Sequence, residues 1–264
     1  MSVFLELSGG NYSACHCEEA FFADEAIGIA AIEIAAIEIA AIEIAAIEIA
    51  SQKTLAMTRR LSSYIWGDEM KRLIIGMSGA SGQIYGIRLL EVLKAVPDVE
   101  THLVLSQAAR MTIAQETAWD PRAVEALADV VYCPGDIGAA IASGSFETAG
   151  MIVAPCSIKS LSAIAHSFDI DLISRAADVQ LKEGHPVLLA VREAPLHLGH
   201  LELMVQAARI GCVIFPPVPA FYSRPSTVDD IIDGTVGRML ARIGFENALY
   251  YRWPGMREAS AHGG

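Results

Sequence analysis

The sequence has few cysteines, and their arrangement excludes two kinds of site. Its 264 residues include five cysteines, an odd number without the spacing of a disulfide framework or of a zinc finger. Cys15-His16-Cys17 places three possible ligands next to one another, and a regular backbone cannot aim three adjacent side chains at one ion. We therefore expect reduced thiols, as in a cytoplasmic protein, and no metal site.

Basic residues are also scarce. Lysine and arginine number 19 against 31 acidic residues, which gives a formal net charge of −12. A nucleic-acid partner is not expected, because binding a polyanion requires clustered basic side chains. The acidity is uneven: residues 1–69 hold 11 acidic and 3 basic side chains, whereas the rest of the chain holds 20 and 16.

The chain also lacks an uninterrupted apolar run long enough to span a membrane. Residues 27–50 contain four copies of Ala-Ile-Glu-Ile-Ala, whose glutamates are Glu33, Glu38, Glu43 and Glu48. Each carboxylate costs about 2.5–3.5 kcal/mol at the centre of a bilayer. The five-residue spacing gives no apolar stripe on a helix, and the Ala-Ala pairs break strand alternation.

We interpret residues 1–69 as a leader, an irregular helix or disordered, outside the catalytic domain. Three origins stay open: translation from an upstream start codon, an engineered extension, or an assembly element. The first residues have neither the basic region nor the apolar core of a signal peptide, so we expect a cytoplasmic location.

From Met70 onward, short apolar runs alternate with segments of helical period. The predicted strands cover residues 73–77, 99–105, 130–132, 150–154, 186–191 and 212–215. Predicted helices lie between and after them, including segments at 176–183, 201–210 and 228–243. Apolar runs without alternation are typical of strands covered on both faces. The pattern predicts an α/β fold over 70–264, a doubly wound parallel sheet in a Rossmann-like three-layer αβα arrangement.

Small, polar or charged residues follow four of these strands. In this fold class ligands bind at the carboxyl ends of strands, where helix N-termini point backbone N–H groups at anions. The four segments are Ser78-Gly79-Ala80-Ser81-Gly82, Ser106, Pro155-Cys156-Ser157-Ile158-Lys159-Ser160 and Arg192-Glu193-Ala194-Pro195. The first segment suits a phosphate, because its glycines allow close approach and its hydroxyls donate. It is not G-x-G-x-x-G, so NAD is not specifically indicated.

Each segment also has a purely structural interpretation. Ser106 is equally suited to a helix cap, and the charges after the fourth strand are compatible with a surface salt bridge. Cys156 has no histidine near it in sequence to act as its base, so we do not expect a catalytic thiol. His197 and His200 share a helical face, for which capping or packing is favoured over metal binding.

Two further pairs of residues suit an anion. Arg175 and Lys182 lie seven apart and so share one helical face, which is either a solvated surface or an anion site. Tyr222 and Arg238 are candidates to complete a phosphate pocket, although their spacing alone does not establish one.

Taken together, these segments resemble the UbiX family of flavin prenyltransferases, older names for which describe an aromatic-acid decarboxylase. The resemblance covers residues 70–264 and leaves the leader unmatched. It is carried by Met-Ser-Gly-Ala-Ser-Gly, Leu-Ser-Gln-Ala-Ala, Ser-Gly-Ser-Phe, Pro-Cys-Ser-Ile-Lys-Ser, Arg-Ala-Ala-Asp-Val-Gln-Leu-Lys-Glu, Arg-Glu-Ala-Pro-Leu and Pro-Pro-Val-Pro-Ala-Phe-Tyr. It departs at Asp171, where we expect Asn or Gly; the extra carboxylate either shifts the loop or caps the next helix.

The resemblance implies an enzyme that joins a dimethylallyl group from dimethylallyl phosphate to N5 and C6 of reduced FMN, without a metal. The product serves UbiD-type decarboxylases. The implied FMN contacts are Gly79, Ala80, Ser81, Ser106, Ser157, Ile158, Lys159, Ser160 and Arg192. The residues implied around the prenyl phosphate are Glu116, Arg175, Lys182, Glu193, Tyr222 and Arg238. A homo-oligomer is also implied, a dodecamer with sites at subunit interfaces.

These assignments fit the chemistry of the reaction. Breaking an allylic C–O bond leaves a delocalised cation and a phosphate, and the basic residues listed above are suited to stabilising the departing charge. We assign Glu193 to protonating the leaving oxygen and Ser81 to proton transfer near flavin N5, with Glu116 as the third catalytic residue.

Two other functions fit the sequence less well. A decarboxylase of the phosphopantothenoyl-cysteine type is expected to carry a histidine after the first helix and Pro-Ala-Ser-Ala-Asn, where this chain has Pro-Cys-Ser-Ile-Lys-Ser. A flavin carrier without turnover is disfavoured, because holding FMN alone does not need a second cluster of charged residues.

Overall fold

A computed structural model describes residues 70–253 and 255–256. The predictions for residues 1–69, including those for the Ala-Ile-Glu-Ile-Ala repeats and Cys15-His16-Cys17, lie outside the described residues.

Strands and helices alternate along the described chain. The strands are β1 Lys71–Met77, β2 Val99–Leu105, β3 Val130–Tyr132, β4 Gly150–Cys156, β5 Val187–Val191 and β6 Cys212–Ile214. The helices are α1 Gln83–Lys94, α2 Gln107–Glu116, α3 Pro121–Glu125, α4 Ile158–Ala165, α5 Leu172–Lys182, α6 Leu198–Arg209 and α7 Val228–Arg242. Short 3-10 turns occur at Ala140–Ala142 and Phe221–Ser223.

The strands form one sheet in the order β3-β2-β1-β4-β5-β6, and every pairing is parallel. The chain moves outward in one direction from β1 to β3 and in the other from β4 to β6. A crevice therefore opens beyond the carboxyl ends of β1 and β4, the usual ligand site of such sheets. The predicted fold class is confirmed.

Two hydrophobic cores lie on opposite faces of the sheet. Helices α1, α2, α3 and α7 cover one face, where Ile113 and Val236 are buried. Helices α4, α5 and α6 cover the other, where Ile173 and Ala207 are buried. Successive residues of β1 point alternately into the two cores, which explains why residues 73–77 are all apolar.

Two predicted helices begin earlier than expected, and in one case the reason is clear. Helix α5 begins at Leu172 rather than at residue 176, because Asp171 is its N-cap. The Asp171 carboxylate accepts from the Ser174 N–H at 2.9 Å, and the Asp171 N–H donates to the Ser174 hydroxyl at 3.2 Å. This reciprocal pair is a capping box. The Asp171 carboxylate, at which the chain differs from the family pattern, therefore caps the helix. Helix α6 begins at Leu198 rather than at residue 201.

Helix α3 was not predicted, although its start signal is in the sequence. Asp120 accepts from the Arg122 N–H at 2.8 Å, and Pro121 occupies the first helical position. No helix within the described residues is both long and apolar enough to cross a membrane.

Helix α1 packs so closely against β4 that position 86 has no room for a side chain. A Cβ at Gly86 would lie 2.4 Å from the Ala154 carbonyl oxygen and 2.7 Å from the Met77 Cε atom. We expect Gly86→Ala to destabilise the fold by about 1–3 kcal/mol through overpacking. Gly234→Ala in α7 is the matched control, because nothing lies within 4 Å of its Cβ position.

Because Gly234→Ala meets no steric obstacle, its free energy of unfolding should rise by roughly 1 kcal/mol through the higher helix propensity of alanine. Urea unfolding of both variants measures the difference, and a Gly86→Ala variant as stable as the wild type would contradict this packing.

Candidate functional site

Ser78 joins the ends of β1 and β4 at the point where the sheet order reverses. Its hydroxyl donates to the Pro155 carbonyl at 3.0 Å and accepts from the Ser157 N–H at 2.8 Å. The side chain is 2% exposed. A buried hydroxyl with both partners satisfied fixes the distance between the two loops that follow these strands.

Hydrogen bonds from Gln83 stabilise the turn after β1. Its side-chain amide donates to the carbonyls of Ser78 and Ala80 at 2.7 and 2.8 Å. A Cβ at Gly79 would lie 2.4 Å from the Ala108 Cβ, so the turn passes α2 at a separation that only glycine allows. Gly82 then has φ +94°, which turns the chain into α1.

Glu116 lies at this turn. Its Oε2 atom accepts from the N–H groups of Gly82 and Gln83 at 2.9 and 3.3 Å. The carboxylate therefore sits at the N-terminus of α1, where a negative charge is stabilised by the helix dipole. In this arrangement Glu116 fixes the backbone beside Ser81, which is half-buried.

Two more helices begin directly after the neighbouring strands. The Ser106 hydroxyl accepts from the Ala109 N–H at 3.1 Å and caps α2. The Ser157 hydroxyl accepts from the Ser160 N–H at 3.3 Å and caps α4. The N-termini of α1, α2 and α4 therefore follow the adjacent strands β1, β2 and β4 along one edge of the sheet. Such N-termini suit a phosphate group.

Three more residues that the resemblance assigns to FMN, residues 158–160, lie in the first turn of α4. Ile158 is half-buried, Lys159 is exposed and Ser160 is 8% exposed. The Ser157 hydroxyl also donates to the Ser160 hydroxyl at 3.2 Å, so these two side chains act as one polar pair.

Arg192 and Glu193 follow β5 at the same edge. The Arg192 N–H donates to the Cys156 carbonyl at 3.1 Å, while both side chains are exposed. Burial raises the pKa of Tyr85 on α1, and the nearby charge of Arg192 opposes that rise. Interaction with Thr235 of α7 opposes that rise as well, so Tyr85 lies near both Arg192 and the last helix.

Tyr222 and Arg238 line one cavity. The cavity has a volume of about 230 Å³. Its other lining residues are Phe215, Val218, Ala220, Ser223, Asp230, Ile231, Gly234, Thr235, Tyr250 and Tyr251. Asp230 accepts from Ser226 and Thr227, and these bonds lower its pKa to about 2. The negative charge of Asp230 therefore stabilises the start of α7.

Arg175 and Lys182 are not brought to this cavity. They lie on α5, which packs against the opposite face of the sheet from α7. Arg175 pairs with Asp169 at 3.1 Å and with Asp178 at 3.6 Å. Lys182 pairs with Glu183 and lowers the pKa of that carboxyl. Within one chain, the sheet therefore separates the two pairs of residues that suit a phosphate.

Cys156 is fully buried, and burial raises its pKa far above the usual range, so it remains a neutral thiol and not a nucleophile. His197 precedes α6 without capping it, and its ring lies 3.6 Å from that of His200, centroid to centroid. Within residues 70–253 and 255–256, no group of three His, Cys, Asp or Glu side chains is placed to hold a metal ion.

Sequence reasoning did not identify Gln83, Tyr85, Tyr250 or Tyr251. Gln83 is fully buried, but a polar residue in the first turn of a helix reads as exposed. The two C-terminal tyrosines follow the last helix, where no strand end marks them as part of a site.

The Flavoprotein family model matches residues 62–240. Flavin prenyltransferase UbiX of Escherichia coli (strain K12) is 60% identical over 188 residues, which is 70% of this chain and 100% of the relative. This chain belongs to the UbiX family of flavin prenyltransferases. The UbiX protein of Thauera aromatica is 54% identical over 187 residues, 71% of this chain and 96% of the relative.

Solved structures agree with this family. AnUbiX (PadA1) in complex with FMN and dimethylallyl pyrophosphate is 47% identical with a TM-score of 0.69, covering 71% of this chain and 99% of that one. A dodecameric FMN-dependent UbiX-like decarboxylase from Escherichia coli O157:H7 is 49% identical with a TM-score of 0.68, covering 70% and 100%. The resemblance seen in the motifs is confirmed.

Burial of the cysteines predicts a pattern of chemical labelling. Burial raises the pKa of Cys156 and raises that of Cys212 to about 12, whereas Cys133 is exposed. At pH 8 the folded chain should be alkylated by iodoacetamide at Cys133 and spared at the other two until urea is added. Peptide mass mapping measures this, and equal labelling of Cys156 and Cys133 in the folded protein would contradict it.

Proposed function

We propose that this chain transfers a dimethylallyl group from dimethylallyl phosphate to N5 and C6 of reduced FMN. The observation that carries the proposal is 60% identity over the whole length of a flavin prenyltransferase. A relative of 47% identity in complex with FMN and dimethylallyl pyrophosphate supports the same pair of ligands. The product would serve a UbiD-type decarboxylase.

The edge of the sheet at β1, β2 and β4 fits FMN. Gly79 keeps the turn free of a side chain, while the N-termini of α2 and α4 offer backbone N–H groups to a phosphate. Reduced FMN supplies the nucleophilic nitrogen and carbon that accept the prenyl group. We assign its binding to Gly79, Ala80, Ser81, Ser106, Ser157, Ile158, Lys159, Ser160 and Arg192.

The cavity beside α7 suits the phosphate that leaves. Arg238 offers a guanidinium and Tyr222 a hydroxyl, which together stabilise a departing anion. Thr235 lines this cavity, and Thr235 and Arg192 both oppose the rise in the pKa of Tyr85. The cavity and the end of β5 are therefore neighbours.

Two carboxylates then have different roles in the proposal. Glu193 follows Arg192 and is exposed at the edge of the sheet, where it can deliver a proton to the leaving oxygen. Glu116 orders the turn that carries Ser81, the residue we assign to proton transfer near N5. No metal ion is part of the proposed reaction.

A second copy of the chain would supply the remaining cations. Arg175 and Lys182 lie across the sheet from Arg238 in one protomer, so they reach a shared phosphate only from a neighbour. A relative of 49% identity is dodecameric. We propose a homo-oligomer of the same kind, a dodecamer in the cytoplasm, with each site formed at a subunit interface.

The reaction itself is the test. The full chain, incubated anaerobically with reduced FMN and dimethylallyl phosphate, should yield flavin heavier by one prenyl unit in mass analysis. Arg238→Gln should lower kcat/KM roughly 10- to 100-fold, as expected for loss of a charge-assisted contact.

Arg242→Gln is the matched control, because this arginine is exposed at the end of the same helix and does not line the cavity. The proposed function would be overturned if the wild-type chain binds reduced FMN but the mass of the flavin stays unchanged.

A further inference from the structure

Arg238 of α7 and Arg252, which follows that helix, lie against one aromatic ring. The Cζ atom of Arg238 lies 5.5 Å from the centroid of the Tyr250 ring. The Cζ atom of Arg252 lies 5.4 Å from the same centroid. Both distances fall within the range of about 6 Å over which a guanidinium is attracted to the face of an aromatic ring.

The segment that carries Tyr250 is fixed against α7 at Gly237. A Cβ at Gly237 would lie 2.9 Å from the Leu249 Cβ and 3.1 Å from the Tyr250 Cδ1 atom. The Asn247 side-chain amide donates to the Gly237 carbonyl at 2.9 Å, and its oxygen accepts from the Leu249 N–H at 3.1 Å. The position of Tyr250 next to Arg238 is therefore built by the surrounding backbone.

The backbone of α7 is in turn anchored to α1. The Arg88 Nε atom donates to the Asp233 carboxylate at 2.6 Å, and a second guanidinium nitrogen donates at 3.2 Å. This bidentate pair fixes the helix but not the long side chain of Arg238, which is exposed. A free arginine side chain samples many rotamers, and binding a phosphate would have to remove that freedom.

We propose that Tyr250 is a positioning residue whose ring holds the Arg238 guanidinium at the cavity before the prenyl phosphate arrives. Arg252, held by the same ring, adds a second positive charge at this end of the site. The inference rests on the proposed function, because Arg238 needs a fixed position only if the cavity takes a phosphate. The aromatic face does this work, and the Tyr250 hydroxyl is not required.

Steady-state kinetics of two variants of the full chain test the proposal. Tyr250→Leu removes the ring and should raise the KM for dimethylallyl phosphate roughly threefold to tenfold, the range expected for a lost cation–π contact. Its kcat and its dissociation constant for FMN should stay within twofold of the wild type. Tyr250→Phe keeps the ring and should keep the low KM.

A double-mutant cycle with Arg238→Gln separates positioning from a general structural effect. If Tyr250 acts through Arg238, Tyr250→Leu should change KM by less than about 1.5-fold in the Arg238→Gln chain, because coupled residues are not additive. Additive effects would overturn the proposal. So would an unchanged KM in Tyr250→Leu, a raised KM in Tyr250→Phe, or weaker FMN binding in Tyr250→Leu.

The two failures are distinguishable in the same assay. A wild-type chain that forms no prenylated flavin overturns the proposed function together with this inference. A wild-type chain that turns over normally, with unchanged KM in Tyr250→Leu, overturns the role of Tyr250 alone.

Discussion

The buried hydroxyl of Ser78 sets the geometry on which the rest of the site depends. It donates to the Pro155 carbonyl and accepts from the Ser157 N–H, which flank the end of β4 and are 77 and 79 residues away in sequence. The ends of β1 and β4 belong to the two halves of the sheet, and their connections leave in opposite directions. Because this hydroxyl ties them, the N-termini of α1 and α4 face the same crevice.

The sheet has a second consequence, because it separates the basic residues of one chain into two groups. Arg192 and Arg238 are on the side of α1 and α7, because the charge of Arg192 acts on the pKa of Tyr85 in α1 and Arg238 belongs to α7. The cations of α5 lie behind the sheet and are paired with their own carboxylates. A site that uses both groups for one small phosphate must be assembled from more than one copy.

Much of this arrangement was predictable from the sequence. The strands at 99–105 and 130–132 have the predicted bounds. The first is almost wholly buried, whereas the second is an edge strand that is only partly buried. Ser106 and Ser157 were identified from their places after strands. Asp171 departs from the family pattern, and of the two outcomes predicted for it, a shifted loop or a helix cap, the structure has the cap.

Other features depend on residues far apart in sequence and left no local pattern. The contacts of Ser78 with the loop after β4, of Glu116 with α1 and of Tyr250 with Arg238 exist only once the chain has folded. The same is true of the sheet lying between α5 and α7. Which residues share a protomer's site is a tertiary property that spacing along the chain does not contain.

The claim that each site is shared between copies is tested most directly by complementation. Lys182→Ala and Arg238→Gln chains, carrying different tags, are co-expressed and the mixed oligomers isolated by both tags. Each variant alone is expected to transfer the prenyl group to reduced FMN far more slowly than the wild type. If neighbouring copies contribute Lys182 and Arg238 to one site, some sites in the mixture have both, and turnover returns. Mixed oligomers no more active than either parent would contradict the shared site.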